Sequence, residues 1–405
     1  MPHTDIRLIA YELPTCSSYD AKPKSESALT GYPAGGLAAP VAAAPVDPPP
    51  HAGAQDAHHR LRRLASIVDL AKWELEDSGR DAPTTLKVFM APEFYFRPPL
   101  DGRTDRRNMT YPLEDHDYIV EQLGKMFSDP GFDHWLIVAG TIMVNTTHTP
   151  VTAPGVNPLT REVFSNVCVI ARGGTNDPVR VIHKRTPSNL DGVLAIDCPG
   201  AVPDYRDAHA AWDVRRRNVF TVDGLTFGIE ICLDHRSGVL RAILADWGSH
   251  EPAGTAPAID AHLLPAGGMN MRVESICARQ NGVIFRNDGY ASIPPGQPDT
   301  SAHSESYRVR GYQLPGSATL LTQPTGEAQW QTVAAPSAAN PHWVLDIPQG
   351  PMEVPDLNDP DSYTFPQRLR FWPSHPLMPA APPPVAAPVP VPPPPQPQPA
   401  PGGPS

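Results

Sequence analysis

The sequence is poor in the features that mark several large function classes. Its 405 residues hold five cysteines, Cys16, Cys168, Cys198, Cys232 and Cys277, and no Cys-x-x-Cys pair, so neither a disulfide framework nor a paired redox or zinc motif is encoded. No His-Glu-x-x-His stretch occurs, and the 15 histidines fall into no Cys/His cluster with zinc spacing. His58-His59 reads as a surface pair, and Gly267-Gly268 as a turn, since it lacks the lysine of a phosphate loop. No apolar run approaches the roughly 20 residues of a membrane helix. Basic side chains are outnumbered 32 to 43, leaving a net charge of −11 that repels phosphate backbones and anionic lipid. Nucleic acid and membrane surfaces are therefore not expected partners. Met1 to Leu13 carries Asp5 and Glu12 where a secretory signal would be basic and then apolar, so a soluble protein of the reducing cytoplasm is the expectation.

What is abundant is proline: 53 residues, more than twice the usual share of about 5%. Much of it lies in two stretches without period. One is residues 19–56, rich in Ala, Pro, Gly and Ser, which reads as an insertion loop behind a first strand in residues 1–18. The other is residues 376–405, from Met378 onward almost wholly Pro, Ala, Val and Gln, which reads as an extended, disordered polyproline tail. Between them, residues 57–375 have the periodicity of a folded domain. Leu61, Leu64, Ile67, Val68, Ala71 and Leu75 mark one face of a helix over 57–77, with Arg60, Arg62, Arg63 and Asp69 opposite. A second helix is expected over 115–127, others over 239–247 and 272–281. Short apolar runs at 86–91, 135–140, 166–171, 179–184, 262–265, 283–287, 318–321 and 343–347 read as strands. Asp223-Gly224 joins two more, 219–222 and 225–231, as a hairpin. Helices alternating with strands, with hairpins among them, predict a layered α/β domain with mixed sheets.

Three strands run out onto a chemically useful side chain: Glu93 in Met90-Ala91-Pro92-Glu93, Lys184 in Ile182-His183-Lys184, and Cys232 in Gly228-Ile229-Glu230-Ile231-Cys232-Leu233-Asp234. Each alone is commonplace, since a buried Cys is usually an inert small hydrophobe and a Lys or Glu at a strand end is usually solvated. Together, in this order, with Pro187 after the Lys and Asp234 two residues after the Cys, they resemble the nitrilase superfamily of carbon–nitrogen hydrolases. Ala278-Arg279-Gln280-Asn281 with Asn287 and Gly289 extends the resemblance, with Gln280 where the family has Glu. The resemblance implies a four-layer αββα sandwich with two mixed β-sheets. It also implies an amidase or nitrilase type of hydrolase needing no cofactor, and a homodimer or larger homo-oligomer. By the same resemblance Glu93, Lys184 and Cys232 are catalytic, with Cys232 as thiol nucleophile, and the Leu233 amide binds the oxyanion. Phe94, Tyr95 and His235 are expected to bind a small amide, nitrile or N-carbamoyl substrate, although His235 and Arg236 could equally pair with Asp234. A second catalytic Glu of many family amidases is missing: its positions after Gly140 hold Met143 and Val144. Asn145, His148 and Asp191 are the candidates to replace it. Glu230 shares a strand face with Cys232 and needs a partner, for which Arg272 and Arg279 are candidates.

The rival from another class is a catalytically silent fold that binds a protein partner through the Pro-rich tail, because Pro383 to Pro395 has the composition of a polyproline ligand. A papain-like arrangement is disfavoured because Cys232 follows a strand and no histidine has a recognisable companion. A tail of this composition contributes no packed surface, so truncation before Met378 is expected to leave melting temperature and activity nearly unchanged. A loss of many degrees on calorimetry would show that it docks.

Overall fold

Ile6, Leu8 and Ala10 alternate with Ile9 and Tyr11 along the first strand, and the two sets bury against different neighbours. That period-2 division recurs along the central strands and produces the layers. The computed structural model describes residues 3–13, 15–17, 46–98, 110–148, 161–188, 191, 208–252, 254–291, 303–313, 320–321, 330–334, 343–347 and 367–377. In chain order the elements begin with β1 (Asp5–Glu12), β2 (Cys16–Ser17), α1 (Gln55–Asp77), β3 (Thr85–Met90), β4 (Tyr111–Pro112) and α2 (Leu113–Met126). The middle of the chain contains β5 (Trp135–His148), β6 (Arg161–Arg172), β7 (Arg180–His183), α3 (Ala208–Arg215), β8 (Val219–Val222) and β9 (Leu225–Ile229). Then come α4 (Leu233–Ser237), α5 (Val239–His250), β10 (Ile259–Ala266), β11 (Ala278–Asp288), β12 (Tyr290–Ala291) and β13 (Ser304–Gln313). The remaining strands are β14 (Leu320–Leu321), β15 (Trp330–Ala334), β16 (Trp343–Ile347), β17 (Gln367–Phe371) and β18 (His375–Pro376).

One sheet runs β16-β17-β1-β3-β5-β6-β7 and the other β14-β13-β11-β10-β9-β8. Both are mixed: β1, β3 and β5 are parallel neighbours, as are β9, β10 and β11, whereas β6, β7, β8 and β13 pair antiparallel. The sheets pack face to face through Leu8, Val88, Met90, Leu136 and Val138 against Phe227, Ile229, Leu263, Val283 and Phe285. The outer face of the first sheet takes Leu61, Leu64 and Val68 of α1 and Ile119 and Leu123 of α2 against Tyr11, Phe89 and Ile137. The outer face of the second packs Ile259 and Cys277 on Leu240 of α5. The result is the expected αββα sandwich. No helix among the described residues is long and apolar enough to cross a membrane.

Several expectations are corrected. The stretch 272–281 is not a helix: it holds a single 3-10 turn, Val273–Ser275, and then enters β11. Asn281 takes a φ of 65°, and the β10–β11 register slips between Ile259 and Ala261, so Asn281-Gly282 makes a strand irregularity that a helical period conceals. The polar face assigned to α1 is also largely interior. Arg60 donates through Nε to Asp56 and through Nη1 to the Tyr95 carbonyl, and Arg63 reaches the Tyr11 hydroxyl and Gln367. Only Arg62 of that set stays exposed. His58 is buried as well, against the Tyr118 hydroxyl 2.8 Å away. Packing extends beyond the expected domain edges. Asp47 meets Gln122 and Lys125 of α2, while Leu377 donates its amide to the Thr4 carbonyl at 2.7 Å. Most of the insertion, residues 18–45, and the tail from Met378 lie outside the described residues.

The Asp223-Gly224 hairpin is as expected, with φ of 51° and 83°. Gly140 has a stricter role. Its φ is 81°, and a Cβ there would lie 2.5 Å from the Pro92 carbonyl oxygen, so the turn carrying Glu93 can sit against β5 only because position 140 lacks a side chain. Gly140→Ala is therefore expected to cost about 1–3 kcal/mol of stability by chemical denaturation. A variant as stable as the parent would contradict this close approach.

Candidate active site

β3 stops at Pro92, which cannot donate to a sheet ladder, and the chain turns sharply, with Phe94 at a φ of 64°. The turn is held on all sides. Thr15 Oγ1 donates to the Glu93 carbonyl at 2.5 Å, Thr141 Oγ1 accepts from the Phe94 amide at 2.8 Å, and Asn287 Nδ2 donates to the Met90 carbonyl at 2.6 Å. Glu93 is thereby directed inward, fully buried. Lys184 follows β7, its amide bonded to the Asn166 carbonyl at 2.8 Å. Cys232 lies between β9 and α4 at φ 47° and ψ −108°, a turn disfavoured for any residue with a Cβ. It does not end the strand as expected but caps a short helix.

These three side chains, from distant parts of the sequence, meet at one buried point. Lys184 Nζ donates to Glu93 Oε1 at 2.8 Å. The Cys232 thiol lies in the field of the same carboxyl and of the Lys184 ammonium, and it donates to the Gly267 carbonyl oxygen at 3.8 Å. Glu93 Oε2 has no nitrogen or oxygen partner among the described residues and is the atom free to take a proton. Of the proposed replacements for a second Glu, Asp191 is in place: Lys184 Nζ reaches its two oxygens at 2.9 and 2.8 Å. Asn145 makes no hydrogen bond to the group among the described residues, and the His148 side chain lies outside them. Met143 instead packs with Phe94 and Tyr290 as an apolar wall.

Asn166 was not singled out from the sequence. Its Nδ2 bridges Glu93 Oε1 at 2.9 Å and Asp191 Oδ1 at 2.8 Å. Its one local signal is an amide side chain at an otherwise apolar strand position. Phe94 lies beside Lys184, with Nζ 5.7 Å from its ring centroid. Tyr95 and His235 do not. Tyr95 turns to the helical side and donates to the Arg60 carbonyl at 3.0 Å, because the sharp turn at Phe94 directs it away from Lys184. His235 is fully buried, Nδ1 2.7 Å from Glu230 and Nε2 accepting from the Arg272 amide at 3.0 Å. Nor does His235 serve Asp234, whose carboxylate holds the segment after Lys184 through the amides of Arg185 and Thr186. Glu230 pairs with His235 and His262, not with Arg272 or Arg279; Arg279 bonds Asp260. Leu233 opens α4, so its amide is one of the first-turn N–H groups without a helical acceptor.

Burial pushes the Glu93 carboxyl up to about 7 against the pull of Lys184. Burial and the Glu93 charge push the Cys232 thiol far above its ordinary value. Burial opposes the charge on Lys184, but Glu93 and Asp191 outweigh it and keep the ammonium protonated. Asp234 is raised by burial to about 7.

No family model and no curated protein matches the chain. Among solved structures it is similar to the amidase from Nesterenkonia sp. AN1, from the nitrilase superfamily. A cysteine-to-alanine mutant of that enzyme is 10% identical with a TM-score of 0.33, covering 72% of this chain and 80% of that one. The complex of such a mutant with butyramide gives 10% and 0.33, over 72% and 77%. A mutant showing covalent addition of the acetamide moiety of fluoroacetamide at the active-site cysteine gives 9% and 0.33, over 72% and 77%. At that distance the likeness carries no argument about this chain, and the site stands on its own geometry.

Two carboxyls whose folded pKa is raised contribute stability that is fully present below their unfolded values and lost as pH rises through the folded ones. For Glu93 and Asp234 that point is about 7. Melting temperature is therefore expected to fall as pH rises from about 4.5 to about 7 and to level off above, and the fall to be blunted in Asp234→Asn. A melting temperature that climbs over that range would contradict the assignment.

Proposed function

We propose that the chain is a carbon–nitrogen hydrolase of the nitrilase superfamily, acting on a small amide, nitrile or N-carbamoyl compound through a Cys232 thioester. The observation that carries this is the meeting of Glu93, Lys184 and Cys232, three groups read from separate strand ends, in one buried cluster. The motif resemblance supplies the family, and the cluster supplies a workable chemistry.

The thiol is held protonated, so attack needs a base at the moment of reaction rather than a preformed thiolate. Glu93 Oε2 takes the thiol proton as sulfur bonds to the carbon of a substrate amide, and the carbonyl electron pair moves onto oxygen. With one Lys184 N–H on Glu93 and one shared between the Asp191 oxygens, the third, which faces Ser188 Oγ across a long 3.4 Å contact, turns to that oxygen when substrate enters, joined by the Leu233 amide. Collapse breaks the C–N bond, and Glu93 returns its proton to the departing ammonia. Glu93 then takes a proton from water as hydroxyl attacks the thioester, and gives it back to sulfur when the acid leaves. A reducing compartment suits a free thiol in this role.

Ammonia release from a panel of small amides, nitriles and carbamoyl amines, followed by intact mass spectrometry for an acyl adduct, tests the reading. Cys232→Ala is expected to abolish turnover and adduct while remaining folded. Glu93→Gln is expected to lose at least about a hundredfold in rate, and Lys184→Ala about 10²–10³ with little acyl-enzyme formed. Activity is expected to rise with pH through about 7 as Glu93 ionises, and Glu93→Gln to lack that step. Turnover by Cys232→Ala would end the mechanism, and silence across the panel in every protein would favour the partner-binding reading.

A further inference from the structure

Glu230 lies two residues before Cys232 and is fully buried, yet no step above uses it. Its partners come from the segments that surround the nucleophile. His235 Nδ1, on α4, is 2.7 Å from Oε2; His262 Nε2, on β10, is 3.1 Å from the same oxygen; and the Leu240 amide, in the first turn of α5, donates to Oε1 at 2.7 Å. The far nitrogen of each ring faces a backbone donor: the Arg272 amide donates to His235 Nε2 at 3.0 Å, and the Cys277 amide to His262 Nδ1 at 3.3 Å. A ring nitrogen that accepts carries no proton, so each neutral ring has its proton on the nitrogen facing Glu230. Three N–H groups thus face one carboxyl, those of His235 and Leu240 in hydrogen-bond geometry and that of His262 3.1 Å away but off the hydrogen-bond direction. Only an acceptor-only carboxylate satisfies them, since either orientation of a glutamine amide would set N–H against N–H.

The same proton placement argues against the metal site that this trio suggests, whose ligand atoms all lie within 4.8 Å of one another. A metal-bound imidazole carries its proton on the opposite nitrogen. Here that proton would point at the Arg272 or Cys277 amide.

We propose that Glu230, held by His235 and His262, is a positioning residue that fixes the turn at Cys232 and so keeps the thiol against Glu93. This rests on reading Cys232 as the nucleophile. A non-glycine residue at φ 47° and ψ −108° persists only where its surroundings over-determine it. Glu230 is tied to β10 by its amide, which donates to the Leu263 carbonyl at 3.1 Å, and its bond to His235 closes the chain across the turn from both sides. His235 continues the brace to the Arg272 amide, at the end of the segment that begins with Gly267, whose carbonyl faces the thiol.

The test is the pH profile of Cys232 alkylation by iodoacetamide, followed by peptide mass spectrometry, with kcat and KM on any substrate found. The proteins are the parent, Glu93→Gln, Glu230→Gln, His262→Leu and His262→Gln. In the parent the rate is expected to rise through about pH 7, the step set by Glu93. Glu230→Gln and His262→Leu are expected to lose that step and about tenfold or more in kcat with KM little changed, as misplacement of a reacting group does. His262→Gln, whose side-chain amide can reach where Nε2–H stood, is expected to retain most of both. A merely packing role would make Leu at least as good as Gln. Folded Glu230→Gln and His262→Leu proteins with the parent's profile and kcat would overturn the proposal; should Glu230→Gln not fold, the His262 pair decides. The alkylation arm needs no substrate, so it stands even where hydrolysis by Cys232→Ala has defeated the hydrolase reading.

Discussion

A lysine ammonium removed from water costs several kcal/mol unless opposite charge and hydrogen bonds meet it, and Lys184 is such a group. Its partners, Glu93 and Asp191, belong to different segments, so the end of β3, the end of β7 and Asp191 must be in place together or the charge is orphaned. Two carboxyls against one ammonium leave an excess of negative charge, which burial resists by raising Glu93. Asn166 relieves part of it by donating to both carboxyls through one amide nitrogen. The balance that makes this cluster tolerable inside a protein also leaves Glu93 able to gain or lose a proton near neutral pH.

The cluster sits at the seam between two sheets, and neither sheet could assemble it alone. β3 and β7 supply Glu93 and Lys184 from one, and the segment after β9 supplies Cys232 from the other. Short bonds stitch the strand ends across the seam. The Glu93 and Gly289 amides both donate to the Ala266 carbonyl, Asn287 Nδ2 donates to the Tyr11 and Met90 carbonyls, and Asp234 accepts from the Arg185 and Thr186 amides. Inter-sheet packing of aliphatic side chains brings the layers to a fixed separation, and these polar contacts then set the register in which three reactive groups meet.

The elements and the reactive strand ends were legible because their signals are local. Alternation in Ile6 to Tyr11, the Asp223-Gly224 turn, the apolar stripe of α1 and the abrupt stop at Pro92 each depend on a few neighbouring residues, and the chain obeys them. Where a local signal had two readings the tertiary context decided. The stretch 272–281 has a helical period, but β10 offers Ala278 onward a parallel edge, and a paired strand wins over an unsupported helix. Arg60 and Arg63 occupy the polar face of α1, yet Asp56, Tyr95, Tyr11 and Gln367 give their guanidinium groups enough partners to be buried.

By itself the sequence determined a layered α/β chain with Glu93, Lys184 and Cys232 at strand exits, because hydrophobic period, turn chemistry and strand termination are encoded residue by residue. The tertiary structure decided which groups attend them. Asn166 and Asp191 rather than Asn145 join the cluster, Phe94 but not Tyr95 or His235 faces it, and His235 and His262 rather than an arginine stand against Glu230. Most of those pairings link side chains tens of residues apart in sequence, and only the stacking of two sheets and the strained turn at Cys232 bring them together.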